Sequence, residues 1–84
     1  HPANQAYALE RCADCFLNAE KFYTAYVHYK KLIDEHPLFV KQAHVLTQLR
    51  NVAAAFDAGR SSLFHFKNPA LAAQVFDIIL RLAP

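Results

Sequence analysis

Prolines at positions 2, 37 and 84 are the feature that most constrains how this chain can fold. Proline lacks a backbone N–H and restricts the residue before it, so it marks the beginnings and ends of helices. These prolines divide the chain into intervals of about 35 and 47 residues, each long enough for two helices and a turn. We therefore predict an all-α protein that consists of two helix hairpins.

The first interval carries apolar residues at helical spacing on both sides of a short break. The pattern predicts helices near residues 3–18 and 20–36, with a turn at Asn18 and Ala19. Pro37 ends the second of these helices. Because the link is short, the two helices are expected to lie antiparallel.

The second interval predicts a longer helix followed by an irregular stretch and a final helix. Its first helix carries apolar residues at helical spacing: Phe39, Ala43, Leu46, Leu49, Val52, Ala53 and Phe56. Gly59 is expected to end this helix in a left-handed conformation. Residues 60–68 have no clear period.

The last helix has a clear start signal, since Asn68 is a favourable cap and Pro69 suits the first helical position. The residues expected to be buried from this helix are Leu71, Ala72, Val75, Phe76, Ile79 and Leu82. Residues 1–84 are thus predicted to form one helical module, with units at 3–37 and 38–84 and an insertion near 59–68.

Charge and composition argue against several functions. The formal charge is +2, and basic and acidic residues are mixed along the chain, so nucleic acid is not the expected partner. The apolar runs are too short for a membrane span. No nucleophile–base pair or set of metal ligands is recognisable in the sequence. We therefore expect that the chain is not an enzyme and binds no metal or cofactor. Other proteins or peptides are the expected partners.

The segment from Ala8 to Pro37 resembles the tetratricopeptide repeat without a gap. The residues that carry the resemblance are Leu9, Cys12, Ala13, Phe16, Ala25, Tyr29 and Pro37. Leu32 departs from the pattern, which prefers Ala there, and the second unit matches at Ala72, Phe76 and Pro84. The resemblance implies a right-handed solenoid of antiparallel hairpins within a longer array. Exposed apolar end faces of such an excerpt would favour self-association.

A narrower resemblance comes from FDAGR at 56–60 and LFHFK at 63–67, ahead of Ala72, Phe76 and Pro84. These segments are similar to the YfiO/BamD-type outer-membrane assembly lipoproteins, in which one repeat carries a phenylalanine-containing insertion. That family implies a bacterial scaffold on the periplasmic face of the outer membrane, with its lipid anchor upstream. The alternative is a general peptide-binding adaptor unrelated to outer-membrane assembly.

The tetratricopeptide resemblance also implies which residues face a partner, because the first helix of each unit lines the concave groove. Carried over to this chain, the groove residues of the first unit are Tyr7, Glu10, Asp14, Leu17 and Asn18. Those of the second unit are Lys41, His44, Gln48 and Asn51. Carboxylates on one helix and Lys and His on the next would orient a segment of mixed charge. The alternative is a solvated face without a partner, because the exposed side of a helix carries polar residues in any case.

Leu63, Phe64 and Phe66 form an apolar group within the insertion. Three large apolar side chains are not expected to remain in water. They would either fold back to close the end of the hairpin or anchor a partner.

Cys12 and Cys15 spell a C-x-x-C motif. We interpret both as core residues because they fall within the apolar pattern of the first helix and cysteine packs as a small hydrophobe. A disulfide or a metal site is the alternative, although no second Cys/His pair has ligand spacing.

Overall fold

The computed structural model of the chain describes residues 2–59 and 69–83, which form four α-helices and no strand. The helices are α1 (Pro2–Asn18), α2 (Phe22–Glu35), α3 (Gln42–Asp57) and α4 (Pro69–Leu82), with a 3₁₀ turn at Pro37–Phe39. The prediction of an all-α protein is confirmed for this part of the chain. In the described ranges, none of the helices is long and apolar enough to cross a membrane.

The helices pack as two antiparallel pairs, α1 with α2 and α3 with α4. In the first pair, the centroids of the Phe16 and His28 rings are 5.0 Å apart, so the end of α1 adjoins the first half of α2. In the second pair, the Gln42 side chain at the start of α3 donates to the carbonyl of Leu82 at the end of α4. Contacts between α2 and α3 join the pairs.

One apolar core extends through both pairs. It contains eighteen buried apolar residues from the four helices. Ala13 of α1 and Ala25 of α2 are completely buried, and their small side chains allow the two helices to approach closely. Tyr26 of α2 meets Phe56 of α3 edge to face at 6.3 Å, which continues the core across the junction between the pairs.

The first helix of each pair, α1 or α3, is followed by a residue with positive φ. After α1, the N–H groups of Glu20 and Lys21 donate to the carbonyls of Leu17 and Phe16, and Glu20 has a φ of 60°. This is the Schellman arrangement, which usually places glycine where Glu20 lies. After α3, Gly59 has a φ of 76°, as the sequence predicts.

The interpretation of Cys12 and Cys15 as core residues is wrong, since both are exposed free thiols. The buried residues of α1 are Ala6, Glu10 and Ala13. Because successive helical residues are 100° apart, a stripe through these positions leaves Cys12 and Cys15 on the outer side. The side of α1 that carries Cys12 and Cys15 therefore lies more than one 100° step away from its buried side.

Three further residues differ from their predicted environment. Phe39 belongs to the 3₁₀ turn and not to α3, which begins three residues later, and Phe39 is exposed. Ala43 is exposed in the first turn of α3. Phe76 is 48% exposed because no helix covers that side of α4 within the described residues. The other predicted α4 residues are buried or partly buried.

The insertion after Gly59, residues 60–68, lies outside the described residues, and it includes Leu63, Phe64, Phe66 and the Asn68 cap. Pro69, the predicted first residue of the last helix, does begin α4.

Candidate functional site

Polar side chains from α1 and α3 converge where these two helices touch. Seven of the nine groove residues expected from the sequence lie there, and we call this surface the α1/α3 face. It consists of Tyr7, Glu10, Asp14, Lys41, His44, Gln48 and Asn51. Spacings of three and four residues place these side chains on one side of each helix.

Asp14 is the centre of the α1/α3 face. Its carboxylate accepts hydrogen bonds from the Tyr29 hydroxyl of α2, from His44 Nε2 at 2.9 Å and from Gln48 Nε2 at 3.3 Å. His44 Nε2 also lies 3.0 Å from the other carboxylate oxygen, so it must carry the proton. One carboxylate thus fastens α1 to both α2 and α3.

The hydrogen bonds to Asp14 change the protonation behaviour of both partners. Burial raises the pKa of Asp14, but hydrogen bonds from Tyr29, His44 and Gln48 outweigh burial and hold the pKa below its usual value of 3.8. Burial and the bond to the Asp14 carboxylate strongly raise the pKa of Tyr29. At neutral pH, Asp14 is therefore ionised and Tyr29 is a neutral donor.

Glu10 lies one turn before Asp14 and has a different environment. Its side chain is only 8% exposed, and its Oε1 is buried with no hydrogen-bond partner among the described residues. Lys41 forms an ion pair with the other oxygen of Glu10, since its Nζ lies 3.6 Å from Oε2. This separation is longer than a hydrogen bond. A buried carboxylate oxygen without a hydrogen-bond donor, such as Oε1, lowers the stability of the fold.

Lys41 and Tyr7 form the open edge of a cleft beside Glu10. Lys41 Nζ lies 5.9 Å from the centroid of the Tyr7 ring, within the range of a cation–π contact. The Tyr7 residue is 57% exposed, and the Lys41 side chain is 67% exposed. Arg11, Asp14 and His44 complete the lining of the cleft.

Two predicted groove residues do not join this cluster. Leu17 is partly buried and packs against the core, and Asn18 is exposed as the last residue of α1. Conversely, Tyr29 belongs to the cluster although sequence reasoning gave it only a packing role. The tetratricopeptide resemblance includes Tyr29 as a packing residue, but no sequence signal indicates that its hydroxyl reaches Asp14.

The α1/α3 face offers donors, acceptors and an aromatic ring in fixed positions, which suits non-covalent recognition of a polar segment. In residues 2–59 and 69–83, no group of three or more His, Cys, Asp or Glu side chains is arranged to hold a metal ion.

Comparison of the chain with protein-family models, with curated proteins and with solved structures finds no match in any of the three. The tetratricopeptide and outer-membrane resemblances therefore stay predictions from the sequence.

Proposed function

We propose that this chain is a protein-interaction scaffold of the tetratricopeptide type, which binds an extended peptide segment on its α1/α3 face. The observation that carries the proposal is the convergence of α1 and α3 side chains around Asp14. Two antiparallel helix pairs and completely buried Ala13 and Ala25 support the repeat architecture, a right-handed solenoid that continues in a longer array.

The α1/α3 face is suited to a peptide because part of it is held fixed and part is free to bind. Bonds to Asp14 fix His44 and Gln48, and Asn51 in turn donates to Gln48 at 3.3 Å. Pre-organised side chains lose little conformational entropy when a partner binds. Tyr7 and Lys41 are exposed beside this fixed group and are available for contact.

Two exposed tyrosines provide a matched test of this location. Tyr7 lies on the α1/α3 face, whereas Tyr23 is similarly exposed, at 54%, on α2. Peptides would be selected from a random library against the purified chain, and their affinity would be measured for Tyr7→Ala and Tyr23→Ala. We expect Tyr7→Ala to weaken binding roughly tenfold and Tyr23→Ala to change it less than about twofold. The reverse order would rule out the α1/α3 face as the binding site.

The finer form of the proposal is a scaffold for outer-membrane β-barrel assembly on the periplasmic side. It is supported only by the sequence resemblance, whose distinctive part lies at 60–68. On this proposal, the full-length gene product is lipid-modified and fractionates with the outer membrane of its native bacterial cells. Recovery of the full-length protein in the cytosol would exclude this form and leave the general peptide-binding adaptor.

A second candidate function is self-association through α4, which is favoured by two exposed apolar residues. Phe76 is 48% exposed and Leu80 is 74% exposed, and they lie four residues apart on one side of α4. The counterpart of Phe76 in the first pair is Tyr29, which is completely buried and donates to Asp14 of α1. We propose that a second copy of the chain covers this side of α4.

Sedimentation equilibrium tests the self-association directly. We expect the wild-type chain to show a concentration-dependent mass and the double variant Phe76→Glu, Leu80→Glu to be a monomer, because charges in an apolar contact are unfavourable. Circular dichroism would verify that the variant keeps its helices. A wild-type chain that stays monomeric at millimolar concentration would contradict this second function.

A further inference from the structure

Glu10 is the least satisfied polar group of the α1/α3 face. Its side chain is more than nine-tenths buried, and its Oε1 accepts no hydrogen bond from the described residues. Asp14, the other carboxylate of the face, differs because it already accepts bonds from Tyr29, His44 and Gln48. A donor brought by a partner would therefore be needed at Glu10 and not at Asp14.

Within the described residues, the two basic side chains that line the cleft, Lys41 and Arg11, do not meet this need. Lys41 Nζ stays 3.6 Å from Oε2, and its side chain is largely in solvent. Lys41 also precedes the first residue of α3, so its side chain can move away without disturbing that helix. Arg11 follows Glu10 directly in α1, and adjacent helical residues do not face each other.

The chemistry around Glu10 suits one particular group. A guanidinium presents parallel N–H donors that can engage both oxygens of a carboxylate, which a single ammonium cannot do. It also stacks on aromatic rings, and the exposed Tyr7 ring stands beside the cleft with a cation already within 5.9 Å. An anionic ligand is disfavoured because it would lie beside the buried carboxylate of Glu10 and the ionised carboxylate of Asp14.

We propose that the cleft bounded by Tyr7, Glu10 and Lys41 binds an arginine side chain of the partner segment. The guanidinium pairs with the Glu10 carboxylate, packs on the Tyr7 ring and displaces Lys41 toward solvent. This inference rests on the proposed peptide-binding function and specifies the chemistry of its partner.

Small capped amino acids test the cleft without a known partner. The ¹⁵N-labelled chain would be titrated with N-acetyl-arginine methylamide, with its neutral citrulline analogue and with the corresponding glutamate compound. We expect the arginine compound to give saturable shifts at the amides of Tyr7, Glu10 and Lys41. We expect the citrulline compound to bind at least roughly fivefold more weakly, because it keeps the shape but loses the charge.

Two variants separate this proposal from its opposite. Glu10→Gln should remove the preference for arginine over citrulline. Lys41→Met should strengthen arginine binding roughly threefold, because it removes the competing internal cation. Lys41→Met must instead weaken binding if the cleft takes an anion. Thermal unfolding of both variants would verify that each is folded. If Glu10→Gln does not fold, the Lys41→Met variant still tests the proposal.

Equal binding of arginine and citrulline, or tighter binding of the glutamate compound with weakening by Lys41→Met, would overturn the inference. These outcomes are distinct from failure of the proposed function. Library peptides that depend on Tyr7 but show no dependence on arginine would overturn only the inference. Peptides that bind without involving Tyr7 would contradict the proposed function itself.

Discussion

The two helix pairs have similar second helices in different surroundings. When the chain is aligned on Pro37 and Pro84, α2 and α4 coincide in length, and Tyr29 of α2 corresponds to Phe76 of α4. Tyr29 is completely buried, whereas Phe76 is 48% exposed. The difference arises because α3 follows α2 and packs on it, and no described helix follows α4. The burial of a corresponding position in the two pairs therefore depends on the next helix as much as on its own sequence.

Truncation of the two corresponding aromatic residues should have very different effects on stability. We expect Tyr29→Ala to lower the free energy of unfolding by about 3–5 kcal/mol, because it opens a cavity in the core and removes a donor to Asp14. Phe76→Ala should cost about 1 kcal/mol or less, since roughly half of Phe76 is already in water. Urea unfolding followed by circular dichroism measures both values, and equal losses would contradict the difference in burial.

Two aspartates, one in each helix pair, differ in their polar contacts. Asp14 in the first pair accepts three hydrogen bonds, whereas Asp77 in the second pairs with Arg81 on the surface of α4. At pH 7, Asp14→Asn should destabilise the fold by about 1–2 kcal/mol. Asp77→Asn should change stability by less than about 0.5 kcal/mol.

Acidification provides an independent measure of Asp14. Its folded pKa is lower than the usual 3.8, so the stabilisation by Asp14 is present above that usual value. This stabilisation is lost as the pH falls through the folded pKa. The difference in stability between the wild-type chain and Asp14→Asn should therefore shrink as the pH falls below about 4. A difference that stays constant across this range would show that the Asp14 charge contributes nothing.

Substitutions at Glu20 and Gly59, the two residues with positive φ, should change the stability of the fold in opposite directions. Glu20 and Gly59 both have positive φ, but only glycine adopts this conformation without steric cost. Glu20→Gly should stabilise the fold by about 0.5–1 kcal/mol, and Gly59→Ala should destabilise it by about 1 kcal/mol. Chemical denaturation of the two variants measures this. Changes of the same sign would mean that the two ends do not share this conformation.

The smallest effect is expected at the cysteines. Because Cys12 and Cys15 are exposed, the double variant Cys12→Ser, Cys15→Ser should change the unfolding free energy by less than about 0.5 kcal/mol. Both thiols should also react with a thiol reagent in the folded chain. Protection of either thiol until unfolding would restore the core interpretation drawn from the sequence.

Local signals made much of the fold predictable. Pro37, Gly59 and Pro69 mark the helix boundaries because their effects depend only on nearby backbone. The small residues Ala13 and Ala25 were recognised as contact positions, and both are completely buried. These residues act through constraints that a single sequence contains.

The errors have a different physical origin. Cys12 is exposed because cysteine is compatible with core or surface and because the buried stripe of α1 runs through Ala6, Glu10 and Ala13 instead. Phe76 was placed in the core because its exposure depends on whether another helix covers α4. The bond from Tyr29 to Asp14 and the burial of Glu10 are tertiary features without a local sequence signal.

On the proposed function, a peptide binds where α1 meets α3 and not on the exposed side of α4. Mapping amide shifts of the ¹⁵N-labelled chain during titration with a library-selected peptide tests it most directly. We predict that the largest shifts occur at Tyr7, Glu10, Lys41 and His44 and that they saturate together. Shifts concentrated at Phe76 and Leu80, with these four amides unchanged, would contradict the claim.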